Sequence, residues 1–185
     1  MELFDIVDEQ GHPTGEIVER SVAHANGICH RTAHIWIIKG DQVLLQKRSL
    51  NKDSYPGEYD TSSAGHVMAG DEVIDSALRE LEEELGIKAT KDNLQYIGQF
   101  RIQYEEEFHG SMFKDNEVVF LYIYNKPVTI EDLSLQPEEI ESVAWFDFKD
   151  VMRVVEDGTR DIDGCRICVP SGGLKLIEQF IQTVN

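Results

Sequence analysis

Basic side chains are scarce in this chain: seventeen Lys and Arg stand against thirty-five Asp and Glu, a formal charge of −18. That imbalance works against any surface meant to attract nucleic-acid phosphates or anionic lipids, so neither nucleic acid nor membrane is an expected partner. Long apolar runs are missing too. Nothing approaches the roughly 20 residues a bilayer crossing needs, and the opening MELFDIVDEQ is acidic where a secretory signal is basic and then apolar. A cytoplasmic protein is the expectation. Cysteine is limited to Cys29, Cys165 and Cys168, an odd set that cannot all pair within one chain and that suits a reducing compartment. Cys165 and Cys168 frame a CxxC, yet no second pair offers a zinc site and no βαβ pattern flanks it as a redox centre requires. Repeats and low-complexity linkers are absent, and 185 residues suffice for one core but cramp two. The reading is a single domain over 1–185, with an N-terminal hairpin extension (1–30), a core (31–165) and a C-terminal helix (166–185).

Turn residues and β-rich runs divide the rest. Residues 3–7 and 15–19 flank an Asp-Gly-Pro turn and read as a hairpin. Residues 34–38 and 42–47, separated by Lys39-Gly40-Asp41, are expected to pair antiparallel. Residues 50–59 hold Pro56 and Gly57 and read as a loop before a short strand ending at Ala64. Two longer strands are expected over 94–103 and 117–124. The acidic stretch between them, with Glu105 to Gly110, reads either as a mobile loop at the rim of a site or as a plain hairpin connection. A strand over 142–146, a helix over 150–156 and an amphipathic helix over 174–184, with Leu174, Ile177, Phe180 and Ile181 on one side, complete the chain. Strands interleaved with helices argue for an α/β fold, a mixed sheet with helices on its faces.

Residues 65–87 read GHVMAGDEVIDSALRELEEELGI. On a helix, positions three and four apart share a face, so Glu80, Glu83 and Glu84 project together while Val73, Ile74, Ala77, Leu78, Leu81 and Leu85 form an apolar stripe. Like charges so spaced cost roughly 0.2–0.5 kcal/mol per pair, a penalty that a hard divalent cation with oxygen ligands reverses. A Glu-rich helix alone is more often a solvated face; the flanks decide. Gly65, Arg79-Glu80-Leu81, Glu83-Glu84 and Gly86-Ile87 keep the spacing of the Nudix hydrolase motif, G-x5-E-x7-R-E-U-x-E-E-x-G-U, which the segment resembles at every specified position but one. That one is Asp71, where the family pattern has Glu. The resemblance implies an α/β/α sandwich with a mixed β-sheet, a magnesium cofactor with manganese as the alternative, and hydrolysis of a phosphoanhydride bond. It implies that Glu80 and Glu84 hold the metal with the Gly65 carbonyl. It further implies that Glu83 shares a metal or takes the proton, and that Arg79 holds loop carboxylates in place. The plain reading of Arg79 is a surface pair with Asp75 or Glu83.

A second layer lies outside that segment. Lys47-Arg48-Ser49-Leu50-Asn51-Lys52, Tyr55-Pro56-Gly57-Glu58-Tyr59-Asp60 and Gly65-His66 resemble isopentenyl-diphosphate isomerases, a Nudix-related family. The resemblance implies that Arg48 and Lys52 bind a diphosphate, Arg as a fork and Lys as a point charge. It also implies a second metal shell of His24, His30, His66, Asp115 and Glu117. Otherwise His30 and His34 are hydrogen-bonded residues at a strand entrance and His24 is exposed. Three departures stand out: the His24–His30 spacing differs by one residue, Asp115 replaces a Glu, and the Trp expected after Pro170 is absent. Ala64 occupies the place of the isomerases' catalytic Cys, and a methyl group exchanges no proton. The expectation is therefore a magnesium-dependent hydrolase of a small-molecule nucleoside diphosphate derivative. The alternatives are an isomerase-like enzyme and a catalytically silent nucleotide-binding module. The general base is left open, with Asp115 or Glu117 as ligand or base. Tyr55, Tyr59, Tyr104, Phe108 and Phe113 either stack a base or fill the core. Exposed hairpin edges make a homodimer the expected assembly.

Overall fold

The computed structural model describes residues 1–184. Strands β1 (Leu3–Val7) and β2 (Pro13–Glu19) form the expected antiparallel hairpin. Helix α1 (Arg20–Asn26) follows it and was not foreseen, because about two turns are too few to show an apolar period. Phe4, Val18 and Ala23 bury together and clamp the hairpin to this helix.

The central sheet departs from the simple meander that its turns suggest. Strands β3 (His30–Lys39) and β4 (Gln42–Arg48) pair antiparallel only beside their turn, at Ile38 with Val43 and Lys39 with Gln42. Beyond that point they diverge. Strand β3 continues between β6 (Ser63–His66), antiparallel, and β8 (Ser111–Tyr124), parallel. Strand β4 continues between β5 (Tyr59–Asp60) and β9 (Ile140–Asp147), both antiparallel. The sheet is thus mixed and forked, and buried polar groups must satisfy the backbone at the fork. Ser62 does so: Ile37 N donates to its Oγ at 2.9 Å, and the same hydroxyl donates to Leu44 O at 2.5 Å.

Strand β7 (Leu94–Phe108) pairs with β8 along its whole length, turning at His109 and Gly110. The acidic stretch is accordingly strand, with Glu105 opposite Lys114 and Glu107 opposite Met112, and the mobile-loop reading is corrected to a hairpin. Cross-strand partners, one of them a cation beside Glu105, hold what composition alone would leave solvated. Helix α2 (Val73–Leu85) covers one face, packing Ala77, Leu81 and Leu85 against Ala33, Ile35, Ile37 and Leu44. Helices α3 (Phe148–Glu156) and α4 (Leu174–Val184) cover the other, against Trp36, Val43, Leu45, Leu121 and Ile123. Each fully buried Leu contributes about 1.5–3 kcal/mol, so the two helix layers hold the sheet from both sides as an α/β/α sandwich. Strands β10 (Asp161–Ile162) and β11 (Cys165–Arg166) form a small hairpin. The CxxC lies there with both thiols free. No helix among the described residues is long and apolar enough to cross a membrane.

Candidate active site

A cavity of about 810 Å³ opens between β6, α2, the 50–60 loop and the β7–β8 hairpin. Both groups of expected site residues line it, except His30, which is fully buried behind the wall.

The first group sits where α2 crosses β6. A Cβ built on Gly65 would lie 2.1 Å from Glu80 Cδ and 2.3 Å from its Oε1, so only glycine lets this carboxylate rest on the strand. One turn on, Glu84 is buried and plugs the fork of the sheet. Its Oε2 accepts from Ser63 Oγ at 2.6 Å, Ala64 N at 3.1 Å and Gln46 Nε2 at 3.3 Å. Burial pushes the Glu84 carboxyl up to about 8, against the pull of the Ser63 bond, and pushes Glu80 up to about 7, against the pull of Arg79. Two carboxyls that water no longer stabilises, side by side at a cavity wall, have the oxygen chemistry to hold a divalent cation.

Glu83 is different. Successive helical residues are turned by roughly 100°, which swings Glu83 away from Glu84 and leaves its side chain 53 % exposed. All three glutamates line the cavity, as their shared helical face implies, but at different depths: Glu84 is buried against the sheet, Glu80 is half-buried on Gly65 and Glu83 stands at the solvent edge. Arg79 binds Glu80 Oε1 at 2.8 Å and Glu83 Oε2 at 3.1 Å, and donates to His66 O at 3.2 Å. It therefore fastens helix carboxylates to the end of β6, where loop carboxylates were expected. Asp75 pairs instead with Lys91 at 2.7 Å. Asp71 offers Arg31 its backbone carbonyl, at 3.4 Å.

The second group joins α1, β3, β6 and β8. His24 Nε2 lies 3.3 Å from His66 Nε2, His24 Nδ1 3.7 Å from Asp115 Oδ1, and both His30 Nε2 and His66 Nε2 lie 3.6 Å from Glu117 Oε1. One donor atom each from His24, His30 and His66, and likewise from His30, Asp115 and Glu117, lies within 4.8 Å of the others. Three of these atoms, His24 Nδ1, His30 Nε2 and Asp115 Oδ1, are buried with no hydrogen-bond partner. Burial lowers His24 to about 4 and His66 well below its ordinary value, so both imidazoles are neutral and present lone pairs. Burial and the neighbouring Glu117 raise Asp115 to about 9. Glu117 shifts the opposite way, low, with the His30 side chain beside it as the largest influence opposing its burial. His30 Nδ1 lies 2.8 Å from Ile28 O, which fixes the proton there and frees Nε2 to face the cluster. Thr32 Oγ1 donates to Glu117 Oε2 at 3.0 Å. Such a nitrogen and oxygen set suits a divalent transition metal or magnesium. The alternative of an exposed His24 is corrected: the unforeseen α1 buries it, with Phe113 stacked on its ring at 4.4 Å, while Phe4 of the hairpin stacks on His30 and His66 at 4.9 and 4.6 Å.

Arg48 and Lys52 also line the cavity. Arg48 donates to Ser54 O at 3.0 Å, Ser54 Oγ at 3.1 Å and Asp60 Oδ2 at 3.2 Å, which commits three of a guanidinium's five N–H donors and leaves the rest for an anion. Lys52 pairs with Glu139. Of the aromatics, Tyr59 packs on Phe146 at 4.9 Å in the core, whereas Tyr55, Tyr104 and Phe113 line the cavity. Gln46, Ser63 and Thr32 were missed as site residues. Nothing in their local pattern distinguishes them from ordinary strand residues; only contact with Glu84 and Glu117 does.

Comparison with known proteins gives the family and the fold. A family model described as the NUDIX domain matches residues 29–163. The chain is 40 % identical over 154 residues to Nudix hydrolase 3 of Arabidopsis thaliana, covering 80 % of this chain and only 20 % of that much longer protein. It is 30 % identical over 140 residues to an isopentenyl-diphosphate Delta-isomerase of Cereibacter sphaeroides, covering 76 % of each. A crystal structure of a Deinococcus radiodurans protein superposes with a TM-score of 0.66 over 98 % of both chains at 15 % identity, a likeness of fold.

Proposed function

The chain belongs to the Nudix family, and from that premise we propose that it hydrolyses a phosphoanhydride bond of a nucleoside diphosphate derivative by water attack at phosphorus, with a divalent metal. One observation carries the reading: the half-buried Glu80 and the buried Glu84 line the same cavity as Arg48 and Lys52. Negative groups that need a cation and positive groups that need an anion are complementary to a metal-bound diphosphate. Magnesium, or manganese in its place, held by Glu80, Glu84 and the Gly65 carbonyl, would screen the diphosphate charge and acidify the incoming water. Arg48 forks onto phosphate oxygens with its free donors, and Lys52 adds a point charge. Arg79 positions Glu80 and Glu83. Glu83, open to solvent beside that pair, is the candidate proton acceptor, with Asp115 and Glu117 as the other carboxylates in reach of the cavity. The His24, His30 and His66 cluster would hold a second ion with Asp115 and Glu117.

Purified protein with magnesium, assayed for phosphate or mononucleotide release across nucleotide sugars, dinucleotides and nucleoside triphosphates, should turn over at least one class. Glu84→Gln should lose most of that rate. Turnover that persists in chelator, or in Glu84→Gln, would remove the proposal. A second reading, isomerisation of an allylic diphosphate, is favoured by the assembled imidazole cluster and opposed by Ala64 on the cavity wall. Incorporation of deuterium from solvent into isopentenyl diphosphate would replace the hydrolase reading with it.

A further inference from the structure

Residues two apart on a strand point the same way, so His30, Thr32, His34 and Trp36 form one row on the cavity face of β3. His30 belongs to the imidazole cluster and Thr32 supports Glu117. Trp36 belongs to the core, edge-on to Phe148. His34 stands between the two and serves neither. It is 7 % exposed, lines the cavity, and lies outside both groups of clustered donors. Ala64 is its register partner on β6, and Phe100 meets its ring edge-on at 6.1 Å. Its Nδ1 is buried with no hydrogen-bond partner.

A polar nitrogen left unpaired in the interior weakens a fold, and a packing role at this position would be filled better by Leu or Phe. The missing partner is therefore expected from whatever enters the cavity. We propose that His34 is a specificity residue that hydrogen-bonds a sugar hydroxyl of the substrate, in the part of the molecule beyond the diphosphate. This assignment rests on the hydrolase reading above. The chemistry of the ring selects the group. Burial holds His34 below the ordinary imidazole range, so it is neutral, and its Nδ1 is a donor in one tautomer and an acceptor in the other. A hydroxyl satisfies either, because it both gives and takes a hydrogen bond. An aliphatic diphosphate tail satisfies neither. Position agrees: Arg48, which would grip the diphosphate, and the small Ala64, register partner of His34, line the same cavity as the ring.

The test compares kcat/KM for the nucleotide turned over fastest in the panel with that for its 2′-deoxy and 3′-deoxy forms, in wild type, His34→Leu and His34→Asn. Wild type should prefer the hydroxylated form over at least one deoxy form by roughly tenfold, mainly through KM. In His34→Leu the ratio should fall to about one, while the ligand-free protein melts roughly 2–4 °C higher because the unpaired nitrogen is gone. His34→Asn, whose amide reaches the place of Nδ1, should recover part of the ratio. Should His34→Leu not fold, His34→Phe, which keeps a flat ring without a polar nitrogen, provides the same reading. Hydrolysis with an unchanged ratio in the apolar variants overturns the assignment and leaves the hydrolase standing. Equal loss on every substrate together with a lower melting temperature makes His34 a packing residue and also overturns it. A wild type that hydrolyses no nucleotide overturns both readings.

Discussion

Two clusters of metal-seeking groups line one cavity, and they were built in opposite ways. The carboxylates on α2 come from a single helical turn, with Glu80 and Glu84 four residues apart. The imidazole cluster collects His24, His30 and His66 with Asp115 and Glu117 from α1, β3, β6 and β8. The first depends on local geometry plus one close approach, Glu80 on Gly65. The second depends on β3, β6 and β8 being in register, since His30 must face Glu117 and Thr32 must face His66. The lesson is that the local cluster carries a signature in its spacing, whereas the dispersed one is stable only as part of the whole fold and should fail in more ways.

Breaking each cluster separately measures how independent the two are. The largest effect is expected at Glu84, which holds the fork of the sheet as well as its proposed ion. Glu84→Gln should lower turnover roughly 10²–10³-fold while leaving calorimetric binding of manganese at the imidazole cluster intact. Loss of both together would show one site where two are drawn. Gly65→Ala comes next. Its methyl would overlap Glu80 Cδ, so the carboxylate must turn away, and turnover should drop about 10–100-fold with little change in urea midpoint. His30→Ala should weaken manganese binding at the cluster by a similar factor, and Thr32→Val, which removes only the bond that orients Glu117, by about tenfold. Equal affinity in Thr32→Val and wild type would mean that Glu117 is not a ligand.

The smallest effect is a pH slope. Glu80 and Glu84 have folded-state values of about 7 and 8, above an unfolded value near 4.5. The folded chain therefore keeps protons that the unfolded chain has released, and stability without metal falls as pH rises through that window. His24 and His66 work the other way, being neutral when folded, but only below about pH 6.5. Urea melts in chelator should thus show stability declining most clearly from pH 6.5 to 8. Magnesium should flatten that decline, and Glu84→Gln should remove much of it. A metal-free chain that grows more stable over this interval would contradict the burial assigned to both carboxyls.

Much of the architecture could be read along the chain because it is local. Alternation marked the strands, Asp-Gly-Pro and Lys-Gly-Asp marked turns, and α4 spans the residues its apolar stripe marked out. What escaped was whatever needed a partner distant in sequence. The acidic run of Glu105 to Glu107 looked solvated until β8 supplied Lys114 and its neighbours. Helix α1 is too short to show a period, and its His24 looked exposed until Phe4 and Phe113 closed over the cluster.

The sequence by itself determined the apolar stripe of α2, the crowding of its carboxylates, and the glycine that must precede them, because helix geometry converts spacing into position without outside help. Only the tertiary structure decided which glutamate is buried, which is bathed in water, and that three imidazoles and two carboxyls from four elements converge beside a lone His34. Burial and register are properties of surfaces that meet, and no single segment contains both surfaces.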